Sequence, residues 1–247
     1  MGLTGTIDSE NRDLYIKFFV LKQVKTSRHY LLWRDPKRHA YLRQKHRELT
    51  MLLTLYAVKS GMSPQPALTN LQRVRQDVTE GQLGVLMNLQ ITVIDAATCQ
   101  PLPNVMVEIW SSNALGNYGK TFLRGAFTSS SSGVAEFQTI FPGYNSNGAN
   151  HISVMVHSSS SMSGSIVHVG QLFFTDKWTT VITSNPFYGY NRNRHTRVLN
   201  AQDPNYKQAT SNGYNAIIDI ENIEDDWPTG VIGRIAIPVD VQCRIPV

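Results

Sequence analysis

The sequence predicts an all-β sandwich preceded by a helical N-terminal segment. Two observations carry the prediction. Before residue 62 the apolar residues recur at three- and four-residue steps, as one face of a helix would. After about residue 85 that periodicity gives way to short β-branched and aromatic runs, each closed by Gly, Pro, Asn or Ser. The expected division is a helical segment and linker over 1–80 and a β-sandwich over 81–247.

The helix is placed over 36–60. Asp35-Pro36 supplies an N-cap and a proline at the first helical position, and Gly61 sits where a C-cap belongs. Tyr41, Leu42, Leu49, Leu52, Leu53 and Tyr56 form its apolar face. Ser63-Pro64-Gln65-Pro66 ends it. The strands follow in order. Leu89–Ile94 and Val105–Trp110 alternate in hydropathy, ending at Asp95 and at Ser111-Ser112-Asn113. Ala135–Ile140, His151–Val156, Ile166–Phe174 and Val231–Val241 complete the set. Ser129–Ser132 and Ser158–Ser161 read as polar turns between them.

Composition removes several function classes. The chain of 247 residues is 41% hydrophobic and 17% charged, which suits a packed core and not a disordered chain. No run approaches the ~20 apolar residues of a membrane span, so no membrane partner is expected. Two cysteines, Cys99 and Cys243, cannot build a disulfide scaffold or a four-thiolate zinc site, though one bridge between them stays open. The net charge of +5 is concentrated at the N-terminus, where residues 1–60 hold 12 Lys and Arg against 5 Asp and Glu. Tyr30, Trp33 and Tyr41 stand among those charges, but the β-domain offers no recognisable nucleic-acid platform, and no nucleic-acid partner is expected. Leu14–Leu21 is a short apolar run interrupted by Lys17 and lacks a nearby small-residue cleavage site. An intracellular location is the expectation, with secretion as the alternative.

An ordered set of motifs runs from about Arg73 to Ile237. It includes Thr79-Glu80-Gly81-Gln82, Thr98-Cys99-Gln100-Pro101-Leu102-Pro103-Asn104, Val107-Glu108-Ile109-Trp110 and Gly116-Asn117-Tyr118. It continues through Leu123-Arg124-Gly125, Phe141-Pro142-Gly143, His168-Val169-Gly170-Gln171-Leu172-Phe173-Phe174 and Arg197–Asp203. In this set the chain resembles the intradiol ring-cleavage dioxygenases, especially their short fungal branch. The resemblance implies a β-sandwich whose loops hold a ferric ion on two tyrosinates and two histidines, and a homodimer built through the N-terminal helix.

The implied ligand set is broken here. Tyr118 keeps the first tyrosine. The family's run Pro-Gly-Trp-Tyr-Pro-Gly-Arg-x-x-His-x-His reads, without a gap, from Pro142 to Ser153. The second tyrosine falls on Asn145, the first histidine is His151, the second falls on Ser153, and the arginine falls on Gly148. Neutral Asn and Ser oxygens replace a phenolate and an imidazole poorly toward Fe(III). Tyr144 is the neighbouring candidate for the missing phenolate. Gln171 matches a family glutamine near the substrate, while Phe127 and Ser129 replace polar family residues.

These departures predict a metal-independent small-molecule enzyme without cofactor: a cyclase, isomerase, dehydrating or pericyclic enzyme of fungal secondary metabolism. Its substrate would be aromatic, polyketide-like or terpenoid-like. His151 and Tyr118 are the expected catalytic pair, with His151 nearest neutrality as an acid/base. Asn145, Ser153, Gln171, Trp110, Phe127 and Tyr144 are the expected substrate contacts. The bland reading makes Tyr118 and His151 hydrogen-bonded relics, Trp110 a core residue, and Arg124 a buried partner of Asp95 or Glu108. Two alternatives stand beside the enzyme: an iron(III)-dependent catechol dioxygenase with rearranged ligands, and a non-catalytic binding or assembly protein.

Overall fold

A computed structural model describes residues 74–146, 148–211, 214–223 and 227–241. The helix expected over 36–60 and Cys243 lie outside the described residues. Eight strands form two four-stranded sheets: β1 (Leu86–Asp95), β2 (Met106–Trp110), β3 (Arg124–Thr128), β4 (Val134–Ile140), β5 (His151–His157), β6 (Ile166–Phe173), β7 (Asp219–Asn222) and β8 (Val231–Val239). One sheet has the order β4-β1-β8-β7, the other β3-β2-β5-β6. All neighbours run antiparallel except β1 and β8, which pair in parallel from Met87↔Val231 to Asp95↔Val239. Helices α1 (Asp176–Ile182) and α2 (Pro204–Ala209) lie in the long connection from β6 to β7. The result is an all-β sandwich.

The core lies between the sheets. Leu89, Ile91 and Val93 of β1, Phe137 of β4 and Ile235 and Ile237 of β8 meet Val107 and Ile109 of β2 and Ile152, Val154 and Val156 of β5. Each such side chain contributes about 1.5–3 kcal/mol relative to exposure. Period-2 geometry then sends the alternate residues of every strand to the outside. For the first sheet this is the solvated face carrying Asn88, Glu136, Gln138 and Glu221.

A strap over 74–78 closes two edges. Arg75 donates its N–H to Ala126 of β3 at 2.8 Å, and Val78 donates to Gln138 of β4 at 2.9 Å. Among the described residues backbone pairing starts at Val74, which bridges Ala126 in parallel. At the other end of the second sheet, Ile218 donates to the Phe173 carbonyl at 2.7 Å, covering the β6 edge. Arg124 pairs with Glu108 rather than Asp95, and Cys99 is exposed and unbridged.

Candidate functional site

The site starts from β5. Ile152, Val154 and Val156 face the core, so His151, Ser153, Met155 and His157 face outward. The register sets Ser153 between Trp110 of β2 and Gln171 of β6, and sets His151 opposite Phe173. This outward face is buried along all of β5. A sheet face hidden from water yet furnished with His, Ser and Gln is the first structural sign of a site.

His151 is held from behind. Its Nδ1 lies 2.7 Å from the Ala149 carbonyl, so Nδ1 carries the proton and donates it there. The Ala149 N–H in turn donates to Asp203 Oδ2 at 2.8 Å. Asp203 is buried and also caps α2, accepting from the Asn205 N–H at 2.7 Å. Gly148 sits over this carboxylate at φ +130°, and a Cβ there would lie 2.4 Å from Asp203 Oδ2. The arginine implied by the resemblance has no room at position 148.

Tyr118 comes from a separate loop between β2 and β3. Asn113 Oδ1 accepts from the Leu115 and Asn117 N–H groups at 3.1 and 3.0 Å, which curls the loop. That loop is locked to the one carrying residues 142–150. Gly143 donates its N–H to the Asn113 carbonyl, and Ser112 Oγ donates to the Gly143 carbonyl. Gly116, at φ +81°, leaves only 2.0 Å between its missing Cβ and the Tyr144 carbonyl oxygen. The Asn191 amide donates to both loops, at the Ala114 and Tyr144 carbonyls.

Together these contacts bring the Tyr118 hydroxyl to 3.3 Å from His151 Nε2 and the Gln171 amide nitrogen to 3.1 Å from the same atom. His151 is fully buried, and desolvation holds its pKa below the ordinary value against the opposing pull of the Ala149 bond and the Asp203 carboxylate. The imidazole is therefore neutral, with its Nε2 lone pair facing a phenol and an amide. Tyr118 keeps 39% of its surface exposed, but its hydroxyl end is desolvated, and this pushes its pKa up. Gln171 Oε1 is buried and has no hydrogen-bond partner.

The remaining expected residues divide. Asn145 and Ser153 are buried, Asn145 on the His151 loop and Ser153 beside Gln171 in register. Trp110 packs against Met155 and Val169 on the outward face. Phe127 packs against the inter-sheet core. The Tyr144 hydroxyl meets Thr183 Oγ1 at 2.7 Å at the end of α1, and Arg197 stacks 5.4 Å from its ring centre. Tyr144 is thus engaged away from His151. Asp203 and Asn191, which position the loops, were not among the expected residues. The Asp203-Pro204 pair carries the same N-cap signal as Asp35-Pro36.

No protein-family model matches the chain, and no curated relative was found. Solved structures do match. An intradiol ring-cleavage dioxygenase from Tetranychus urticae superposes with a TM-score of 0.62 at 24% identity, over 73% of this chain and 93% of that one. The fold is that of the intradiol ring-cleavage dioxygenases. The dioxygenase domain of a dioxygenase and carbohydrate-binding protein fusion from Streptomyces sp. SirexAA-E also matches, with a TM-score of 0.50 at 18% identity over 71% of this chain and 94% of that one. The iron that the sequence resemblance implies for this fold does not fit the donors present. One phenol, one imidazole and a carboxamide meet at the centre. Ferric iron prefers hard anionic oxygens, and of the four donors the resemblance implies only Tyr118 and His151 are present, with Asn145 and Ser153 at the other two positions.

Proposed function

We propose that the chain is a metal-independent small-molecule enzyme in which Tyr118 and His151 form a neutral acid/base pair. The observation that supports this best is the hydrogen bonding of His151. Its Nδ1 proton is committed to Ala149, leaving Nε2 as a buried base beside a phenol that donates. Such a pair moves a proton without first creating a charge in an apolar surrounding. A positioned acid/base group supplies about 10²–10⁴ in rate, and confinement of a flexible substrate adds to it. The substrate is small and aromatic or polyketide-like, and the reaction is an isomerisation, cyclisation or dehydration driven by proton transfer. Gln171 orients the imidazole, while Ser153 and Asn145 supply neutral polar wall.

The test is turnover of enolisable aromatic and polyketide-like compounds by the full-length protein, with and without chelator. The expected result is chelator-independent turnover that falls about 10²-fold in a folded His151→Ala variant. Iron near one per chain, a visible tyrosinate band and catechol-dependent oxygen uptake would overturn the proposal. So would turnover unaffected by His151→Ala.

A further inference from the structure

The hydrogen-bond inventory around His151 does not balance. The neutral imidazole has one free lone pair, at Nε2. Two donors reach for it, the Gln171 amide at 3.1 Å and the Tyr118 hydroxyl at 3.3 Å. Meanwhile Gln171 Oε1, an acceptor on a side chain that is 91% buried, has nothing to accept from. One donor is in surplus and one acceptor is idle, and both belong to groups that meet at a single atom. A buried amide oxygen left unsatisfied is destabilising, so a fold retaining one beside a surplus donor is poised for an external group.

The amide cannot simply turn over to cure this. With Nδ1–H given to Ala149, a reversed Gln171 would set its oxygen against the Nε2 lone pair, acceptor against acceptor. Oε1 has no accessible surface while the Tyr118 hydroxyl rests on His151, so a group reaches it only when that contact opens. The opening is on the Tyr118 side. Tyr118 is 39% exposed, whereas His151, Ser153, Asn145 and Gln171 are each 9% exposed or less. Its 3.3 Å contact is also the longer of the two and is the one more readily given up.

We infer that the site takes a neutral ligand carrying a hydroxyl next to a carbonyl, the carbonyl oxygen accepting from Tyr118 and the hydroxyl donating to Gln171 Oε1. This rests on the functional reading above and narrows its substrate class. Such a ligand absorbs the surplus donor and employs the idle acceptor together. It leaves the Gln171 N–H on His151 Nε2 undisturbed in the ground state. A carbonyl compound without the hydroxyl satisfies Tyr118 alone and leaves Oε1 orphaned. A carboxylate brings no donor and places a charge in the desolvated centre. Gln171 is then a specificity-determining residue as well as the support of the imidazole.

The experiment uses two matched probes on the chelator-treated full-length protein: maltol, with adjacent hydroxyl and carbonyl, and its O-methyl ether. Binding is followed by isothermal titration and by the NMR shifts of the ring protons of His151. The wild type should bind maltol at least about tenfold more tightly than the ether, the scale of one buried hydrogen bond. Gln171→Met, close in size and without polar atoms, should reduce the ratio to within about twofold. Gln171→Glu, titrated as the variant that keeps an acceptor, should preserve a preference for maltol over the ether. Tyr118→Phe should weaken both probes alike. Equal binding of the two probes at His151, or a ratio unchanged in Gln171→Met, overturns this inference and leaves the acid/base proposal standing. Failure of both probes to perturb His151 overturns this inference, while the turnover test with His151→Ala decides the acid/base reading separately.

Discussion

Strand β8 alternates between buried and half-buried residues along its length, whereas β5 is buried at all seven positions. Both strands are central in their sheets and both send one set of side chains into the same core. The difference lies on the other face. Outside the first sheet, Arg234 bonds Gln90 and pairs with Glu221 in contact with water. Outside the second, Arg124 donates to Glu108 at 3.0 and 3.2 Å with both side chains almost wholly buried, and His157 lies 3.9 Å from the same carboxylate. The same chemical pairing is thus a surface ornament on one sheet and a structural commitment on the other. On the outer face of the second sheet hidden polar groups are paired for structure, as Arg124 and Glu108 are, or gathered into the His151 cluster.

The largest expected effect tests that contrast directly. Glu108→Ala strands the Arg124 charge and should cost about 3–5 kcal/mol in denaturant unfolding. Glu221→Ala on the exposed sheet should cost about 0–1 kcal/mol. Similar losses for the two would erase the distinction between the faces.

Next in size is the lock between the loops. Gly116→Ala puts a Cβ 2.0 Å from the Tyr144 carbonyl at a positive φ. Left-handed strain and overpacking together should cost about 3 kcal/mol, and the Tyr118–His151 contact should disappear from NMR spectra before global unfolding. Gly81 also has a positive φ of 69° but meets nothing within 4 Å. Gly81→Ala should therefore lose only the backbone part, about 1 kcal/mol.

Acid provides a third test. The folded His151 has a pKa below its ordinary 6.5, mainly because burial disfavours the charged ring. The unfolded chain then binds more protons in the window below 6.5, so stability is present above that value and is lost as pH falls through the folded pKa. The ionisable neighbours are the Tyr118 phenol and, through Ala149, the Asp203 carboxylate. The thermal midpoint should drop between pH 7 and pH 5, and His151→Asn should flatten that drop. An equal slope in the variant would move its origin elsewhere. The smallest effect belongs to the solvated face, where Gln138→Ala should change stability by no more than about 0.5 kcal/mol.

Legibility in the sequence follows the same divide. Clean alternation marked β1 and β2, and the β4, β5, β6 and β8 runs were found within a few residues of their ends. Two strands left no such trace. β3 is five residues with a Gly-Ala centre, and β7 is four residues reading Asp-Ile-Glu-Asn. Helix α1 is disguised by Thr179, Thr180, Val181 and Ile182, whose β-branched side chains suggest a strand; the Thr175 cap, which accepts from the Trp178 N–H, starts it as a helix instead. At the site, Tyr118, His151 and Gln171 were visible because a family motif runs through them. Phe127 and Tyr144 could not be placed that way, since their directions depend on strand facing and on a hydroxyl partner 39 residues away. Asn191 escaped because its work is done on backbone atoms of distant loops, which leave no local pattern, and the Asp203-Pro204 cap signal is silent on the Ala149 N–H that the same carboxylate holds 54 residues away.

The interlock of the two loops is made from glycines, main-chain carbonyls, the Ser112 hydroxyl and the amide of Asn191. None of these contacts is made by the side chain of Tyr118, His151 or Ser153. The scaffold therefore behaves like a tool holder whose jaws close regardless of the bit. Single substitutions at those three tips should each leave the loops locked together. That makes the loop-borne centre an inexpensive place for a new reaction to begin, and it makes the same three positions the natural ones to randomise when seeking one.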